Sequence, residues 1–587
     1  MESHRSRGGL LEIFRQIFCA LARKCCPPVP PRPPRPGKDR SIYFAPGQLS
    51  VMVEHTSPLS SAEIAELTLT TSFLQDRRLG TPVYIPPERV VTFQRGQQDY
   101  FSVVFVEAPA LYNNAVELLR TVISFNRIIQ QQGDQKPRPA AQLSDDYPRE
   151  QAQTRADAGS ETAQAHASAT PPARLSVRRF SPNWAAGGAS QGIGGGGPGA
   201  RPVPPTTQIS AAPTGPNPWD ITIKNLSLSR PLAEWGTGVE VAILDTMPEQ
   251  KDIDAAYTTW RSTNGLIDDL FAPGKLLLSP GGYSHLFNLA SLHVADAPYV
   301  MVDHGIFIAG IIHTIAPAAT IRLIEVLNPL GVGTLETIVR GFKRLVDERS
   351  QNGVLASTPP MVVNTSIVLC VPTQTLLDRL NAAAQDQATQ DQASQELALT
   401  GISADALAST NAALQAICDL LDQHNVHIVA AAGNDKIATQ TTPPDANYPA
   451  ALSTVLGVGA LDKLNQPTDY SNLSDFPIEQ GLAVFGGIRA ANGQDTSSVD
   501  GLLGIYISNF PDPPAGTAGV APPNTQGWAF WSGTSFATPI VSGAIAAILS
   551  DTSATGPTPP LSPEQMLRDI NPTLVSAIGK VVEVQQG

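Results

Sequence analysis

Cysteine is scarce in this chain, and the few that occur are widely separated. The 587 residues include only five: Cys19, Cys25, Cys26, Cys370 and Cys418. An odd number at this spacing does not form a disulfide framework, and none of them stands at metal-ligand spacing from a histidine. We therefore expect unpaired thiols in a reducing compartment, and no metal centre.

Long apolar runs are also missing. No stretch reaches the roughly 20 apolar residues that a membrane-spanning helix needs. Residues 10–22 are partly apolar, but Glu12, Arg15 and Gln16 interrupt them, so they lack the apolar region of a secretory signal. The predicted localisation is cytoplasmic, and secretion or peripheral membrane association stays open as the alternative.

Basic residues are outnumbered: 39 Lys and Arg against 52 Asp and Glu give a net charge of −13. This balance excludes the basic face of a nucleic-acid-binding protein. Residues 1–40 have a different composition from the rest of the chain. Residues 10–21, read as a helix, have one apolar side with Arg and Lys around it, and Cys25 and Cys26 are candidate acylation sites. The proline run 27–36 favours polyproline II. The favoured interpretation is a short docking helix or a poorly ordered tail; peripheral docking on a membrane surface or a partner through residues 1–40 is the alternative.

Two further regions precede the main body of the chain. Residues 41–132 alternate strand patterns at 48–54, 90–93 and 100–106 with helical spacing at 60–74 and 113–131, which predicts a small α+β domain. Residues 133–218 are rich in Gln, Ala, Pro and Gly without sustained periodicity, which predicts a disordered linker.

The remaining chain, 219–587, alternates apolar strands with helices, the pattern of a parallel sheet covered on both faces. The expected fold class is therefore α/β, with three layers and a mostly parallel central sheet. Insertions on this core are expected near 371–400 and 490–526. The predicted strands are 239–244, 320–326, 361–365, 426–432 and 455–459, and the predicted helices are 305–313, 335–347 and 404–423.

Four separated segments carry residues that could perform chemistry. Asp245 directly follows a buried strand, where open α/β sheets place their sites. His304 begins a helix and is followed by Gly305, while Asp303 beside it is expected to be a solvated cap. Asn434 follows another buried strand, and Ser535 stands in the first turn of an apolar helix, where backbone N–H donors lack helical partners. Each segment alone is ordinary; the combination is informative.

In order and sequence these segments resemble the subtilisin-like (S8 family) serine proteases. GTSFATP around Ser535 is similar to the family's nucleophile motif, HGIFIAG to its histidine motif, and AAAGND to its oxyanion segment. YPA at 448–450 followed by VLGVGA at 455–460 resembles a further family stretch. The resemblance covers roughly 219–549 and implies a serine endopeptidase with a subtilisin-like fold, acting on protein or peptide substrates.

The resemblance also implies a role for each residue. Ser535 would be the nucleophile, His304 its general base and then acid, and Asp245 the group that orients the imidazole. Asn434 and the backbone N–H of Ser535 would form the oxyanion hole. The chemistry would need no cofactor; family members often bind structural calcium, but no calcium site is identifiable in this sequence.

The expected substrate-binding residues are Ser366, Ile367, Val368 and Gly433. Residues 363–368 resemble the family's NMSLGG edge, and Val368 stands where glycine is usual, which predicts a small residue at the P1 position of the substrate or a narrow specificity. Two further places depart from the family pattern: Thr246 after Asp245, and Ile306 and Phe307 after Gly305. Both changes make this side of the expected substrate cleft more apolar.

The resemblance leaves the N-terminal region open. Residues 41–132 have the texture of the propeptides common in the family, in which case the chain would be cut in or near 133–218; the alternative is an adaptor domain. A catalytically silent fold used for binding is the competing function class, and its signature would be loss of the triad residues.

Overall fold

The computed structural model describes residues 44–60, 63–64, 85, 87–111, 115–134, 176–188, 200–282, 299–351, 354–357, 359–369, 371, 404–436, 441–475, 480–493, 495–512, 520–551 and 561–587. The chain divides into Met1–Arg40 and Ser41–Gly587, and every described residue belongs to the second unit. The predicted docking segment, most of the helix predicted at 60–74 and almost all of the insertion at 371–400 therefore lie outside the described residues. Within those residues, no helix is both long and apolar enough to cross a membrane.

The described strands are numbered in chain order. They are β1 Phe44–His55, β2 Val90–Gly96, β3 Asp99–Glu107, β4 Ser176–Gly188, β5 Ile221–Ile223, β6 Glu240–Asp245, β7 Leu276–Ser279, β8 Thr320–Glu325, β9 Val332–Thr334, β10 Ser350–Gln351, β11 Val354–Leu355, β12 Met361–Thr365, β13 Ile367–Leu369, β14 Val426–Ala431, β15 Val455–Leu461, β16 Leu482–Phe485, β17 Leu502–Ile505, β18 Trp528–Trp531, β19 Val575–Ser576, β20 Gly579–Val582 and β21 Val584–Gln586.

The described α-helices are numbered in the same way. They are α1 Ala115–Asp134, α2 Gln250–Trp260, α3 Gly265–Leu270, α4 His304–Ile315, α5 Leu335–Arg349, α6 Ala404–Ala408, α7 Ala412–Asp422, α8 Thr534–Ser550 and α9 Pro563–Asp569. Sequence signals explain several starts: Thr334 and Thr337 form a capping box at α5, and Ser562 caps α9 with Pro563 in its first turn.

The central sheet contains nine strands in the order β19-β20-β16-β15-β14-β12-β6-β8-β7. Its neighbours pair in parallel except for the β19–β20 hairpin. Strands β14, β12 and β6 are adjacent, so their carboxyl ends meet at one edge of the sheet. The predicted parallel α/β architecture is confirmed, and it sets residues from distant parts of the chain side by side.

Side chains along β6 divide between two cores. Ala242 and Leu244 join the cluster that contains helices α5 and α7, whereas Val241 and Ile243 join the cluster that contains α4 and α8. Successive strand residues point to opposite faces, so a buried parallel strand supplies both layers. The sheet therefore lies between two helical layers.

A second, antiparallel sheet is built mainly from the N-terminal region, in the order β13-β4-β1-β3-β2 with β9 also paired to β4. Helix α1 packs on it: the buried Asn126 side chain donates to the Phe180 carbonyl (2.9 Å) and accepts from the Phe180 N–H (2.7 Å). Because β9 and β13 belong to residues 219–587, the predicted domains 41–132 and 219–587 share one sheet.

The prediction of a disordered linker over 133–218 is wrong for the parts that the structure describes. Strand β4 pairs with β1 along most of its length, and residues 200–218 are placed against the main body. A register shift between Met52 and Val53 breaks the two-residue alternation of β4, so the strand has no regular apolar pattern. Residues 135–175 and 189–199 lie outside the described residues.

Trp184 anchors β4 and gives a stability prediction. It is fully buried, and its Nε1–H donates to Thr410 Oγ1 (3.0 Å). Replacing Trp184 with alanine should lower the free energy of unfolding by about 3–5 kcal/mol, because it leaves a large cavity. The exposed Arg178→Ala on the same strand is the control and should cost at most about 1 kcal/mol. Urea denaturation of both variants measures the difference, and equal losses would contradict the role assigned to Trp184.

Candidate active site

Three polar segments meet at the carboxyl edge of the central sheet. Asp245 ends β6, Ser366 follows β12, and Gly433 and Asn434 follow β14, and these three strands are neighbours. Helices α4 and α8 lie over the same face and contact each other. The four sequence segments therefore converge in one place.

Asp245 and His304 form a buried pair. His304 Nδ1 and Asp245 Oδ1 are 2.7 Å apart, and both side chains are 0% exposed. The same carboxylate oxygen accepts the Thr246 backbone N–H (2.7 Å) and lies 3.2 Å from the Thr246 hydroxyl. This arrangement fixes the orientation of the imidazole ring and directs Nε2 away from Asp245.

Glycine at position 305 permits this close approach. A Cβ at Gly305 would lie 2.3 Å from the Thr246 carbonyl oxygen and 2.8 Å from Leu323. The start of α4 therefore sits directly on the end of β6, which brings the histidine to the aspartate.

An aromatic wall surrounds His304. Its ring meets Trp531 edge-on at 5.4 Å and Phe536 at 5.1 Å, and Phe307 contacts both aromatic rings. Among the described residues, Nε2 of His304 has no hydrogen-bond partner. This buried ring nitrogen is therefore available to hydrogen-bond with a reacting group.

Ser535 is the second residue of α8 and is fully buried. Its hydroxyl donates to the Ser366 carbonyl (3.2 Å), and the Ser366 hydroxyl donates to the Ser535 carbonyl (2.8 Å). The structure thus brings Ser535 together with the predicted substrate-binding Ser366. Its hydroxyl is directed to that carbonyl, while the next residue, Phe536, contacts His304.

Asn434 is fixed on the same helix start. Its Oδ1 accepts the Thr534 backbone N–H (3.0 Å) and the Thr534 hydroxyl (3.1 Å). Gly433 before it has φ +113°, and a Cβ there would lie 2.3 Å from Asn447 Nδ2, so only glycine fits. Asn434 therefore lies beside Ser535, held by Thr534.

The predicted substrate-binding edge is already paired. In β13, Ile367 and Val368 lie opposite Gly188 and Gly187 of β4, and on the other side Ala186 lies opposite Gly333 of β9. The end of β4 is thus the middle strand of three. The groove next to Ser366 contains a segment of the protein's own chain.

Several residues of this site were not predicted from the sequence. Asp303, expected as a solvated cap, is 1% exposed and accepts hydrogen bonds from the N–H groups of Ile507 (2.7 Å) and Ser508 (2.6 Å). Burial raises the pKa of Asp303 to about 6, against the lowering effect of these bonds. No role was predicted for Trp531, two residues before the nucleophile motif, or for Thr534 within it, although their positions in the sequence could have indicated both.

The side chains in the described part of the chain do not form a metal-binding group. No group of three or more His, Cys, Asp or Glu side chains lies close enough to hold an ion there. Structural calcium stays a prediction.

The model of the subtilase family matches residues 236–579, more than half of the chain. None of the curated proteins compared with the chain matches it.

The solved structures that resemble the chain include three proteases. They are the prenylagaramide maturation protease PagA (21% identity, 56% of this chain and 82% of that one, TM-score 0.31), a lanthipeptide protease (19%, 59% and 85%, TM-score 0.33) and the protease domain of PatA (20%, 59% and 93%, TM-score 0.31).

Proposed function

Because this chain belongs to the subtilase family and is a serine endopeptidase, we propose that Asp245, His304 and Ser535 are its catalytic triad. We further propose that Asn434 and the backbone N–H of Ser535 form the oxyanion hole, and that the chain cuts itself between Gly188 and Ala200. The observation that carries the triad is the fully buried 2.7 Å contact between His304 Nδ1 and Asp245 Oδ1 at the sheet edge that also holds Ser535.

Each group has one task in this mechanism. His304 Nε2 takes the proton of the Ser535 hydroxyl while Oγ attacks the carbonyl carbon of the scissile bond. The C–N bond then breaks, and the proton passes from His304 to the leaving amine. Water, activated by the same imidazole, hydrolyses the acyl-enzyme and returns the proton. Asp245 holds the ring and stabilises its charged form, and no cofactor takes part.

The Ser535 hydroxyl must turn before it can attack. It donates to the Ser366 carbonyl, whereas His304 Nε2 has no described partner. Rotation about one side-chain bond would exchange the first contact for the second. We propose that the contact with Ser366 is a resting arrangement of the nucleophile.

Time-dependent modification by a fluorophosphonate tests this assignment. Peptide mapping by mass spectrometry should find the label on Ser535, together with loss of peptide hydrolysis. Labelling of a different serine, with equal loss of hydrolysis, would contradict it.

Asn434→Ala should lower kcat by about 10²- to 10³-fold with KM nearly unchanged, since an oxyanion donor acts mainly in the transition state. Thr534→Val is the matched comparison: it removes one of the two donors to Asn434 Oδ1 and leaves the backbone N–H in place. We expect a smaller loss for it. Steady-state kinetics on a peptide substrate measure both, and a loss under about threefold for Asn434→Ala would remove Asn434 from the oxyanion hole.

The occupied groove supports autoprocessing. The end of β4 lies between β9 and β13 as an extended strand, which is how a peptide would lie to be cut. Its last residue, Gly188, lies opposite Ile367, which directly follows Ser366, whose carbonyl accepts from Ser535. The N-terminal sheet is continuous with that strand. Residues 44–188 would therefore be a propeptide domain that fills the groove until it is removed, rather than an adaptor.

Autoprocessing predicts a defined product. Ile367 opposes Gly188, and Ser366 is one residue nearer the nucleophile, so the cut should fall within the first two residues after Gly188. Mass spectrometry of the purified protein should find a new N-terminus between residues 189 and 191. Full-length protein only, with peptide hydrolysis intact, would contradict autoprocessing and leave the triad assignment standing.

The groove also supports a preference for small residues. Val368 is buried and packs against Ala431. The Val368 side chain therefore narrows the groove at the place where the end of β4 has Gly187 and Gly188. We therefore keep the proposal of a small P1 residue. Docking through residues 1–40, cytoplasmic localisation and structural calcium remain predictions.

A further inference from the structure

Asp303 stands at the start of α4, directly before His304, but its side chain does not cap that helix. An aspartate in this position ordinarily accepts a backbone N–H from the first turn of its own helix. Among the described residues of α4 no such bond is made. The carboxylate instead accepts three hydrogen bonds from the loop that follows β17. This buried charge therefore joins two distant segments of the chain.

The three bonds hold one short loop. Asp303 Oδ2 accepts the backbone N–H of Ile507 (2.7 Å) and that of Ser508 (2.6 Å), and Oδ1 accepts the Ser508 hydroxyl (3.0 Å). Burial raises the pKa of Asp303 only to about 6, so the group is charged at neutral pH. Hydrogen bonds to a charged acceptor are stronger than neutral ones, so the carboxylate fixes the loop against the start of α4.

The anchored loop belongs to the hairpin that leads into the nucleophile motif. Strand β17 pairs antiparallel with β18, and Leu502 lies opposite Trp531. Four residues after Trp531 the chain reaches Ser535, in the first turn of α8. Asp303 is thus bonded to the hairpin that precedes the proposed nucleophile, and by the chain to the proposed general base, His304.

Aromatic rings make a second connection between the same elements. Tyr506, the residue before the anchored N–H groups, stacks on Phe510 with ring centroids 5.0 Å apart and meets the Trp531 ring edge-on at 5.9 Å. Trp531 in turn meets the His304 ring edge-on at 5.4 Å. The contacts therefore return to the residue next to Asp303 and form a closed ring around the start of α4.

Asn524 holds the same loop from another side. Its Nδ2 donates to the carbonyl groups of Tyr506 (2.7 Å) and Ser508 (3.0 Å), and its Oδ1 accepts the Gly527 N–H (3.0 Å). A substitution at Asn524 therefore loosens the loop without changing Asp303 or the triad.

We infer that Asp303 is a positioning residue for peptide hydrolysis: by anchoring the loop after β17 it sets the distance between His304 and Ser535. The inference rests on the proposed function, which makes these two residues the general base and the nucleophile. Proton transfer between them requires hydrogen-bond distance. A misplacement of about 1 Å can cost about 10²-fold in rate, so the spacing of the two elements limits the chemical step.

The test measures kcat and KM of the purified protein for a short peptide. Asp303→Ala should lower kcat by about 10- to 100-fold with KM within about threefold of wild type, because a misplaced base slows the chemistry rather than binding. Asp303→Asn should stay within about fivefold of the wild-type kcat, since its amide oxygen can accept both backbone N–H groups and its NH₂ can donate to the Ser508 hydroxyl.

Two further variants separate the loop from the charge. Asn524→Ala releases the loop from its other side and should lower kcat by about five- to tenfold, the scale of one or two neutral hydrogen bonds. Ser508→Ala removes only the hydroxyl contact with Asp303 and keeps both backbone bonds, so its kcat should stay within about threefold of wild type. Fluorophosphonate labelling run to completion counts the competent sites, and kcat is calculated per labelled site.

Each outcome decides the inference. A kcat of Asp303→Ala within about threefold of wild type would overturn it, and so would an equal loss in Asp303→Asn, which would assign the effect to the charge. An unchanged kcat in Asn524→Ala would also overturn it; this variant decides the question if Asp303→Ala does not fold. Labelling of the wild type at a serine other than Ser535 would instead overturn the triad assignment.

Discussion

Replacing Ser535 with alanine is expected to abolish peptide hydrolysis, with a fall in kcat on the order of 10⁶-fold, the loss that removal of the triad serine causes in subtilisin. The reason is the loss of the only covalent nucleophile in the proposed mechanism. Fluorophosphonate labelling and self-cleavage should disappear with it, so the protein should accumulate at full length.

The same variant should fold normally. Ser535→Ala removes one buried hydroxyl whose bond is to the Ser366 carbonyl, while the Ser366 hydroxyl keeps its own bond to the backbone of residue 535. A melting temperature close to that of the wild type is the control for activity loss. Residual hydrolysis within about 100-fold of wild type, in protein free of contaminating protease, would remove Ser535 from the mechanism.

Asp245→Asn should lower kcat by about 10⁴-fold, the effect of this change in a serine-protease triad. Asp245 Oδ1 lies within hydrogen-bond distance of Thr246 N, the Thr246 hydroxyl and His304 Nδ1. An amide can keep the ring in place only by its oxygen, and it carries no charge to stabilise the imidazolium. Stopped assays with a chromogenic peptide measure the loss.

Thr246→Val is the matched control for Asp245→Asn. It removes a hydroxyl near the same oxygen but keeps the carboxylate and the backbone donor. We expect a loss of about tenfold or less, the usual scale for one neutral hydrogen bond. If Asp245→Asn were as active as Thr246→Val, the carboxylate would not be the group that supports His304.

Local patterns predicted much of the fold. Strand β12 has the predicted bounds, β6 and β8 differ from their predictions by one residue, and α4 begins at His304 as its motif indicates. These elements are buried on both faces and bounded by glycine or polar residues, so their signals lie within a short window. The helix predicted at 404–423 is divided into α6, a 3₁₀ turn at Ser409–Asn411 and α7.

Contacts between distant segments could not be predicted in this way. Asp303 is buried because the loop at Ile507 and Ser508 covers it, some 200 residues further along the chain. The Ser535 hydroxyl points to Ser366 for a similar reason, since β12 and α8 meet only in the folded protein. A sequence window around either residue does not contain the partner.

The sequence by itself determined which residues could do the chemistry and in what order, because each lies in a short motif that encodes its own turn, strand end or helix start. Only the tertiary structure decided what fills the groove. Residues 176–188 resemble a linker in composition, yet the last four of them, 185–188, form the middle strand between β9 and β13. Residues 332–334 and 367–369 supply the hydrogen-bond partners of this strand. A strand takes its hydrogen-bond partners from other parts of the chain, so its presence there depended on the fold.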